Sequence, residues 1–467
     1  MSTLCRVETA GTTLRTTTPT RAQHLALTAA VVVGVVLRWW DLGGPRATFD
    51  EAFTGMYSHL PLADIPGALR DHDAHPPLDY LVRHWFGGPG STFALRFPSA
   101  VFATASLLVT VAWMRRRGWF GVTVVALTGV SSFELLYGHT ARMYALVVLC
   151  GTIAVAGSEQ WLRRSAPGWR WLVAGALLVG LFDHTSTLLL AGALVLVPGR
   201  RTDREAWWWR GSMAGAIAVW AVVWGPSFLD QARHQNSSWI PFTSAGATVD
   251  ALNGLVTMYA GLGVVVLLAV GIGAVLLRDE DRTLSRLWVV LFLVPFGAAL
   301  LIGFEVHFLL PRTLAFAAWA PPLALAALVE RARRFSVPVA AGVVLLVGVL
   351  VVPSIGPAIR YEESSVPARQ ALTAAVAPGD AVAVHPSWLW PLAGWDLGAP
   401  RDPAVPAELA DLDAFVFVVG DQPFDGRVWV LQPDTYALPL GSLVPCDGVE
   451  ALHRGDYLLS CYVTPAT

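Results

Sequence analysis

Residues 24–51 read HLALTAAVVVGVVLRWWDLGGPRATFDE. The run from His24 to Trp40 is apolar enough and long enough to cross the ~30 Å hydrocarbon core of a bilayer. It ends on Trp39-Trp40, side chains suited to a membrane–water interface. Ten residues further on stand two adjacent acids, Asp50 and Glu51. A carboxylate pair on a long loop just outside a span invites two readings. Asp50 caps the N-terminus of the segment that follows, or the pair performs general-base chemistry at the membrane face.

Composition extends the membrane reading to the whole chain. The 467 residues are 55% hydrophobic and 14% charged, with mean hydropathy +0.54. A soluble protein carries about 25% charged residues. The net charge of -2 provides no basic field for nucleic acid. All 32 basic residues are Arg, which reads as codon composition. The four cysteines, Cys5, Cys150, Cys446 and Cys461, form no CxxC or Cys/His metal spacing. The Thr-rich N-terminus up to Arg21 is followed by an apolar run ending Arg38-Trp39-Trp40-Asp41, with no small-residue cleavage site. The first helix is therefore expected to be retained.

Apolar stretches of spanning length recur at about 24–41, 97–114, 119–137, 143–162, 169–183, 185–198, 207–228, 251–277, 287–304, 313–329 and 336–353. They predict a polytopic α-helical membrane protein of about 11 transmembrane helices. The run 169–198 is split at Asp183-His184-Thr185-Ser186, because one helix of that length exceeds the bilayer core. Alternate connections carry Arg115 to Arg117; Arg163, Arg164 and Arg170; Arg200, Arg201, Arg204 and Arg210; Arg278, Arg282 and Arg286; and Arg331, Arg333 and Arg334. With the N-terminal tail this puts about 19 Arg on one side against about 8 on the other. Residues 1–23 are thus expected to be a cytoplasmic tail, 24–353 the transmembrane domain and 42–96 its first outer loop. Residues 354–467 are expected to form a small extracytoplasmic α/β domain. Its predicted helix is 369–377, and its predicted strands are 381–385, 414–419, 427–431 and 457–463. Cys446 and Cys461 fall in that exported part, where an oxidising compartment permits a disulfide.

In the first outer loop, Asp50-Glu51 is followed by Ala-Phe-Thr-Gly and the amphipathic stretch Met56–Arg70, which Pro61 and Pro66 break into short interfacial helices. Then comes Asp71-His72-Asp73-Ala74-His75-Pro76-Pro77-Leu78. Phe49-Asp50-Glu51-Ala resembles the Asp-Glu site after helix 1 of the GT-C glycosyltransferases, the group of protein mannosyltransferases and aminoarabinose transferases. Asp73-Ala74-His75-Pro76-Pro77-Leu78 resembles their His-Pro-Pro segment, and Ala141-Arg142-Met143-Tyr144-Ala145-Leu146 their Ala-Arg-x-Tyr-Ala-Leu segment. The motifs match at these three places, and the layout over most of 24–353.

The resemblance implies a polyprenyl-phosphate sugar donor, an acceptor hydroxyl and inversion at the anomeric carbon. An outward-facing transferase also needs a membrane-anchored donor, because nucleotide sugars stay in the cytoplasm. The expected reaction moves a mannose-like sugar to an extracytoplasmic glycan, lipid or protein. Asp50 is the candidate base, and Glu51 orients it or binds a divalent cation. His75, with Asp73, holds the acceptor or contributes to a metal site, and His72 has metal spacing to His75. Arg142 is the candidate for the leaving phosphate. Relatives often carry an acid two residues before this Arg; here Thr140 stands there, and Glu134 lies about two turns back. Glu305-Val306-His307-Phe308-Leu309-Leu310-Pro311-Arg312 resembles a family segment reading Arg-Tyr-Leu-Leu-Pro, with His307 at the Arg position. The phosphate contact therefore passes to Arg312 or to protonated His307. Asp183 and His184 mark a polar site at the membrane edge. The rival class is a transporter or flippase of a lipid-linked glycan, which would place charge at the bilayer midplane. Here the acids cluster in outer loops.

Overall fold

The computed structural model describes residues 18–464, apart from 74, 87–89, 200, 235–239, 241, 256–259, 401–402, 437, 441 and 455. Most of the tail expected at 1–23, and Cys5 with it, lies outside the described residues. The chain folds into two compact units. The first is Met1–Trp40, Pro66–Asp79 and Ser99–Ile359; the second is Asp41–Ile65, Tyr80–Pro98 and Arg360–Thr467. The first outer loop of the sequence is thus divided between them.

The first unit is helical. Helix lies in every one of the eleven apolar stretches, but length and composition give fewer crossings than eleven. Among the described residues, Arg21–Trp39, Thr92–Met114, Tyr144–Arg164, Arg282–Glu305 and Val337–Ile359 are each long and apolar enough to span. Three bent pairs raise the number to at most eight. One of them is Gly118–Gly129 with Ser132–Gly138, bent by 46°. The bend has a local cause: the Ser131 side chain accepts the Glu134 N–H and starts a new helix there. Pro167–Asp183 and Thr187–Leu196 are two helices parted at residues 184–186, each shorter than a full span.

Close backbone approach organises this unit. A Cβ on Gly34 would stand 2.9 Å from the Gly129 Cα, so Arg21–Trp39 and Gly118–Gly129 meet as only glycine allows. That contact brings Arg38, fully buried, under the end of Gly118–Gly129. It donates to the carbonyls of Gly34, Ala103, Thr128 and Gly129 and pairs with Glu134 at 2.8 Å. At the Arg-rich connections, buried Glu159 takes Arg117, Arg163 and the Trp113 indole N–H, and buried Asp281 takes both arginines again. Arg38, Glu134, Glu159 and Asp281 are thus each paired with an opposite charge, which is what a low-dielectric interior requires.

The second unit contains a six-stranded mixed sheet. Its strands are β1 (Ala381–Val384), β2 (Phe415–Val418), β3 (Arg427–Pro433), β4 (Val444–Pro445), β5 (Leu452–Arg454) and β6 (Tyr457–Val463). The order is β2-β1-β3-β6-β4, with β5 also on β6. Only β1 and β3 run parallel. Alternate residues Ala381, Ala383, Val416, Val428 and Val430 build one core with Leu409 and Leu438, as the period of two dictates. The helices Val366–Ala375 and Trp390–Leu397 belong to the same unit. Buried Asp380 accepts from Arg427, the Trp429 indole and the Ala377 N–H, tying the turn before β1 to β3.

Cys446 and Cys461 are joined by a disulfide across a separation of 15 residues, with Cα atoms 5.4 Å apart. Replacing Cys461 by Ser should lower stability by ~3 kcal/mol through regained loop entropy. Denaturant unfolding of the variant, compared with the oxidised and reduced wild type, measures this. An unchanged midpoint would mean that the bond is not what holds β6 to the residues after β4.

Candidate active site

In the second unit the chemistry begins at one helix start. Asp50 and Glu51 do not lie on an irregular loop: they fill the first turn of Phe49–Ser58. Nor is Asp50 the cap. The Thr48 hydroxyl accepts the Glu51 N–H at 3.3 Å, and the Glu51 carboxylate accepts the Thr48 N–H at 2.9 Å. This reciprocal capping box directs Glu51 inward, where it is 1% exposed. There Arg96 grips it with two bonds of 2.7 Å, Nε to Oε1 and Nη2 to Oε2. The same guanidinium donates to the carbonyls of Leu42, Pro45 and Arg46. Glu51 and Arg96 therefore fix the path of the chain into the helix.

Asp50 is the half-buried acid of the pair. Its backbone carbonyl accepts the Thr54 hydroxyl at 2.9 Å, one turn on. The Phe49 N–H just before it is taken by Glu363, at 2.7 Å. Burial, followed by the negative charge of Asp50, pushes the Glu363 carboxyl above its ordinary range. Arg369 donates to the Ala47 carbonyl at 2.5 Å and is held by a bidentate pair with Asp396. Residues 46–51 are thus framed by side chains far away in sequence.

The first unit gathers a second set. Arg142 lies in the turn before Tyr144–Arg164 and is buried. The Ser99 hydroxyl donates to the Thr140 carbonyl at 2.7 Å, and His139 bonds the carbonyls of Leu135 and Trp40; both hold this turn. His184, in the turn after Pro167–Asp183, has its ring 4.6 Å from that of His75 and 5.5 Å from that of Tyr144. The Arg312 guanidinium stands 6.0 Å from the Tyr144 ring centre. A Cβ on Gly151 would come within 2.0 Å of the Phe316 carbonyl, so glycine lets Pro311–Ala317 seat Arg312 against the helix that carries Tyr144. Burial, and then the charges of His75, Arg142 and Arg312, hold the His184 imidazole well below its usual pKa. Its Nδ1 accepts the Ser186 N–H at 3.0 Å, so the neutral ring carries its proton on Nε2.

His75, Arg142, His184 and Arg312 therefore form one electropositive group, with buried Asp183 adjoining His184 in the chain. Glu134 is not a partner held ready for Arg142, because the close packing at Gly34 and Gly129 gives it to Arg38. His307 Nδ1 bonds the Ile240 carbonyl, and its ring lies 3.8 Å from that of Phe242. Asp73 closes the helix Ile65–His72, its N–H on the Leu69 carbonyl at 3.0 Å. The side chain of His72 lies outside the described residues. Among the described residues, no three of His, Cys, Asp or Glu gather as a metal-binding set. Both oxygens of Glu51 are taken by Arg96, so the residues do not fit a cation held there.

A helical unit with several helices long and apolar enough to span a membrane, together with a mixed α/β unit, makes up the fold. The chain shares it with ArnT from Cupriavidus metallidurans. The apo structure of ArnT superposes with a TM-score of 0.57 at 15% identity, covering 94% of this chain and 97% of ArnT. ArnT bound to undecaprenyl phosphate gives 0.51 at 16% identity, with the same coverage. An oligosaccharyltransferase from Archaeoglobus fulgidus, tethered to an acceptor peptide, gives 0.45 at 12% identity over 75% of this chain and 57% of that one. No protein-family model and no curated protein sequence matches.

Proposed function

We propose that the protein is an inverting glycosyltransferase of the cell membrane. It moves a mannose-like sugar from a polyprenyl phosphate to a hydroxyl on an extracytoplasmic acceptor. The observation that carries this reading is the framed Asp50, in a chain that shares the fold of a protein solved with undecaprenyl phosphate bound. Asp50 takes the acceptor proton as the acceptor oxygen bonds to the anomeric carbon from the face opposite the lipid phosphate. The bond from that carbon to the phosphate oxygen breaks, and the phosphate leaves with the electron pair. Within the first unit, Arg142 and Arg312 are the groups suited to a phosphate's charge, and the His184 Nε2–H is a donor that adds none. The Arg alternation supports an N-terminus in the cytoplasm and residues 354–467 outside, an arrangement that requires an odd number of crossings.

A flippase of a lipid-linked glycan is the rival. It is not favoured, since the acids in question sit at the start of a ten-residue helix and not within a helix of spanning length. Transfer by purified protein in open detergent micelles, from a panel of radiolabelled polyprenyl-phosphate sugars starting with mannose, separates the two. An enzyme releases label from the lipid to cell-envelope acceptors. Label that crosses sealed vesicles with the sugar–phosphate bond intact throughout the panel would overturn the reading.

A further inference from the structure

The start of Phe49–Ser58 is held from the C-terminal part of the second unit by charged groups that the reaction above does not use. Glu363 Oε2 accepts both the Phe49 N–H, at 2.7 Å, and the Ser365 hydroxyl, at 3.1 Å. Two residues before Phe49, the Ala47 carbonyl takes Arg369. Arg46 lies 3.4 Å from the Thr373 hydroxyl and 3.7 Å from Asp396. Residues 46–49 are therefore gripped on both a carbonyl and an N–H by one short segment, 363–373, together with Asp396.

A backbone N–H at a helix start needs an acceptor, but a neutral one would serve. Here the acceptor is a carboxyl, placed within the field of Asp50, the next residue along. The charged and titratable groups around Glu363 are Asp50 from Phe49–Ser58, Arg369 from Val366–Ala375 and Tyr457 from β6. Arg369 offsets part of this field, although its bonds go to Asp396 and Ala47, and burial with Asp50 leaves the net shift of Glu363 upward. Tyr457 records the same field: burial first, then Glu363, pushes its phenol up to about 12.

Resting on the reading of Asp50 as the base, we propose that Glu363 is a positioning residue for the transfer reaction. It orients Asp50 through the Phe49 N–H, and its negative charge favours the arrival of the acceptor's proton on Asp50. The C-terminal segment then completes the base rather than serving only as an appended module. Two carboxyls whose ionisations oppose each other are a recognised way of poising one of them for proton transfer.

Glu363→Gln tests this, because the amide oxygen can still accept from Phe49 and Ser365 while the charge is gone. In wild type the folded state holds the Glu363 proton more tightly than the unfolded chain does. The resulting stabilisation is complete below the ordinary carboxyl range and is lost as pH rises through the raised pKa. Melting temperature should therefore fall over that window in wild type and stay flat in Glu363→Gln. Asp50→Asn should narrow the window, and the double variant should add nothing to Glu363→Gln. In transfer, Glu363→Gln should move the acid limb of the pH profile to lower pH, with little change in KM for the polyprenyl-phosphate mannose probe. Melting and activity profiles that superpose on wild type would overturn the inference while leaving Asp50 untouched. Full transfer by Asp50→Asn would instead remove the base reading, and the melting cycle would still report whether the two carboxyls are coupled.

Discussion

Asp50→Asn is expected to lower transfer about 10²–10⁴-fold, the usual contribution of a positioned general base. Melting at neutral pH should hardly change. The substitution is isosteric, and the bonds described for this turn run through its backbone and through the side chains of Thr48, Glu51, Thr54 and Glu363. Thr48 and Glu51 cap each other, the Phe49 N–H goes to Glu363, and the Thr54 hydroxyl bonds the Asp50 backbone carbonyl. Binding of the polyprenyl-phosphate probe should survive, since the groups assigned to the phosphate are Arg142, Arg312 and His184. The measurement is kcat under saturating donor, with KM and unfolding followed on the same preparation. Full activity in Asp50→Asn would sink the mechanism. A loss accompanied by unfolding would instead make Asp50 a structural acid. Glu51→Gln is the useful contrast: its effect should appear first in stability, because its partner Arg96 is buried with it.

What the sequence could tell follows the range of the forces involved. The helices were legible because apolar runs report burial or bilayer contact locally, residue by residue. The break at 183–186 was legible for the same reason, a polar interruption in a long run. The start of Phe49–Ser58 has a local signal too: Thr48 with Glu51 three residues later is a capping-box spacing. The spacing competes with a second reading, acids on a long loop, and the fold decides for the helix. The partners that define the site are another matter. Arg96 lies 45 residues from Glu51, Arg38 lies 96 from Glu134, and Glu363 lies 314 from Phe49. No local period or spacing encodes such pairs; they exist because packing delivers them. Glu134 shows the hazard. Along the chain it suits Arg142, yet the approach of Gly34 to Gly129 hands it to Arg38. Tyr144 belongs to the Ala141–Leu146 motif, and only the fold brings it near both His184 and Arg312.

Arg96→Met should be the most destabilising single change in the second unit, at about 3–5 kcal/mol, because it strands a buried carboxylate. Arg96 and Glu51 share two bonds of 2.7 Å and are almost wholly buried. Methionine fills much of the space but returns none of the donors. The carbonyls of Leu42, Pro45 and Arg46 lose theirs as well, each at a further cost if water does not reach it. Glu51 would then regain neutrality only by taking up a proton, so the variant should be relatively less damaged at low pH. Pairing the change with Glu51→Gln removes the stranded charge. The double variant should recover part of the stability, and the shortfall measures the three carbonyls. Transfer should fall in Arg96→Met even in the fraction that stays folded, because the path from Leu42 to Glu51 sets where Asp50 points. Limited proteolysis between residues 41 and 51, alongside melting, reads the two effects separately. If Arg96→Met melts and transfers like wild type, the chain into this helix is held by something other than the ion pair. The Glu51–Arg96 frame would then be a consequence of the fold rather than a cause of Asp50's position.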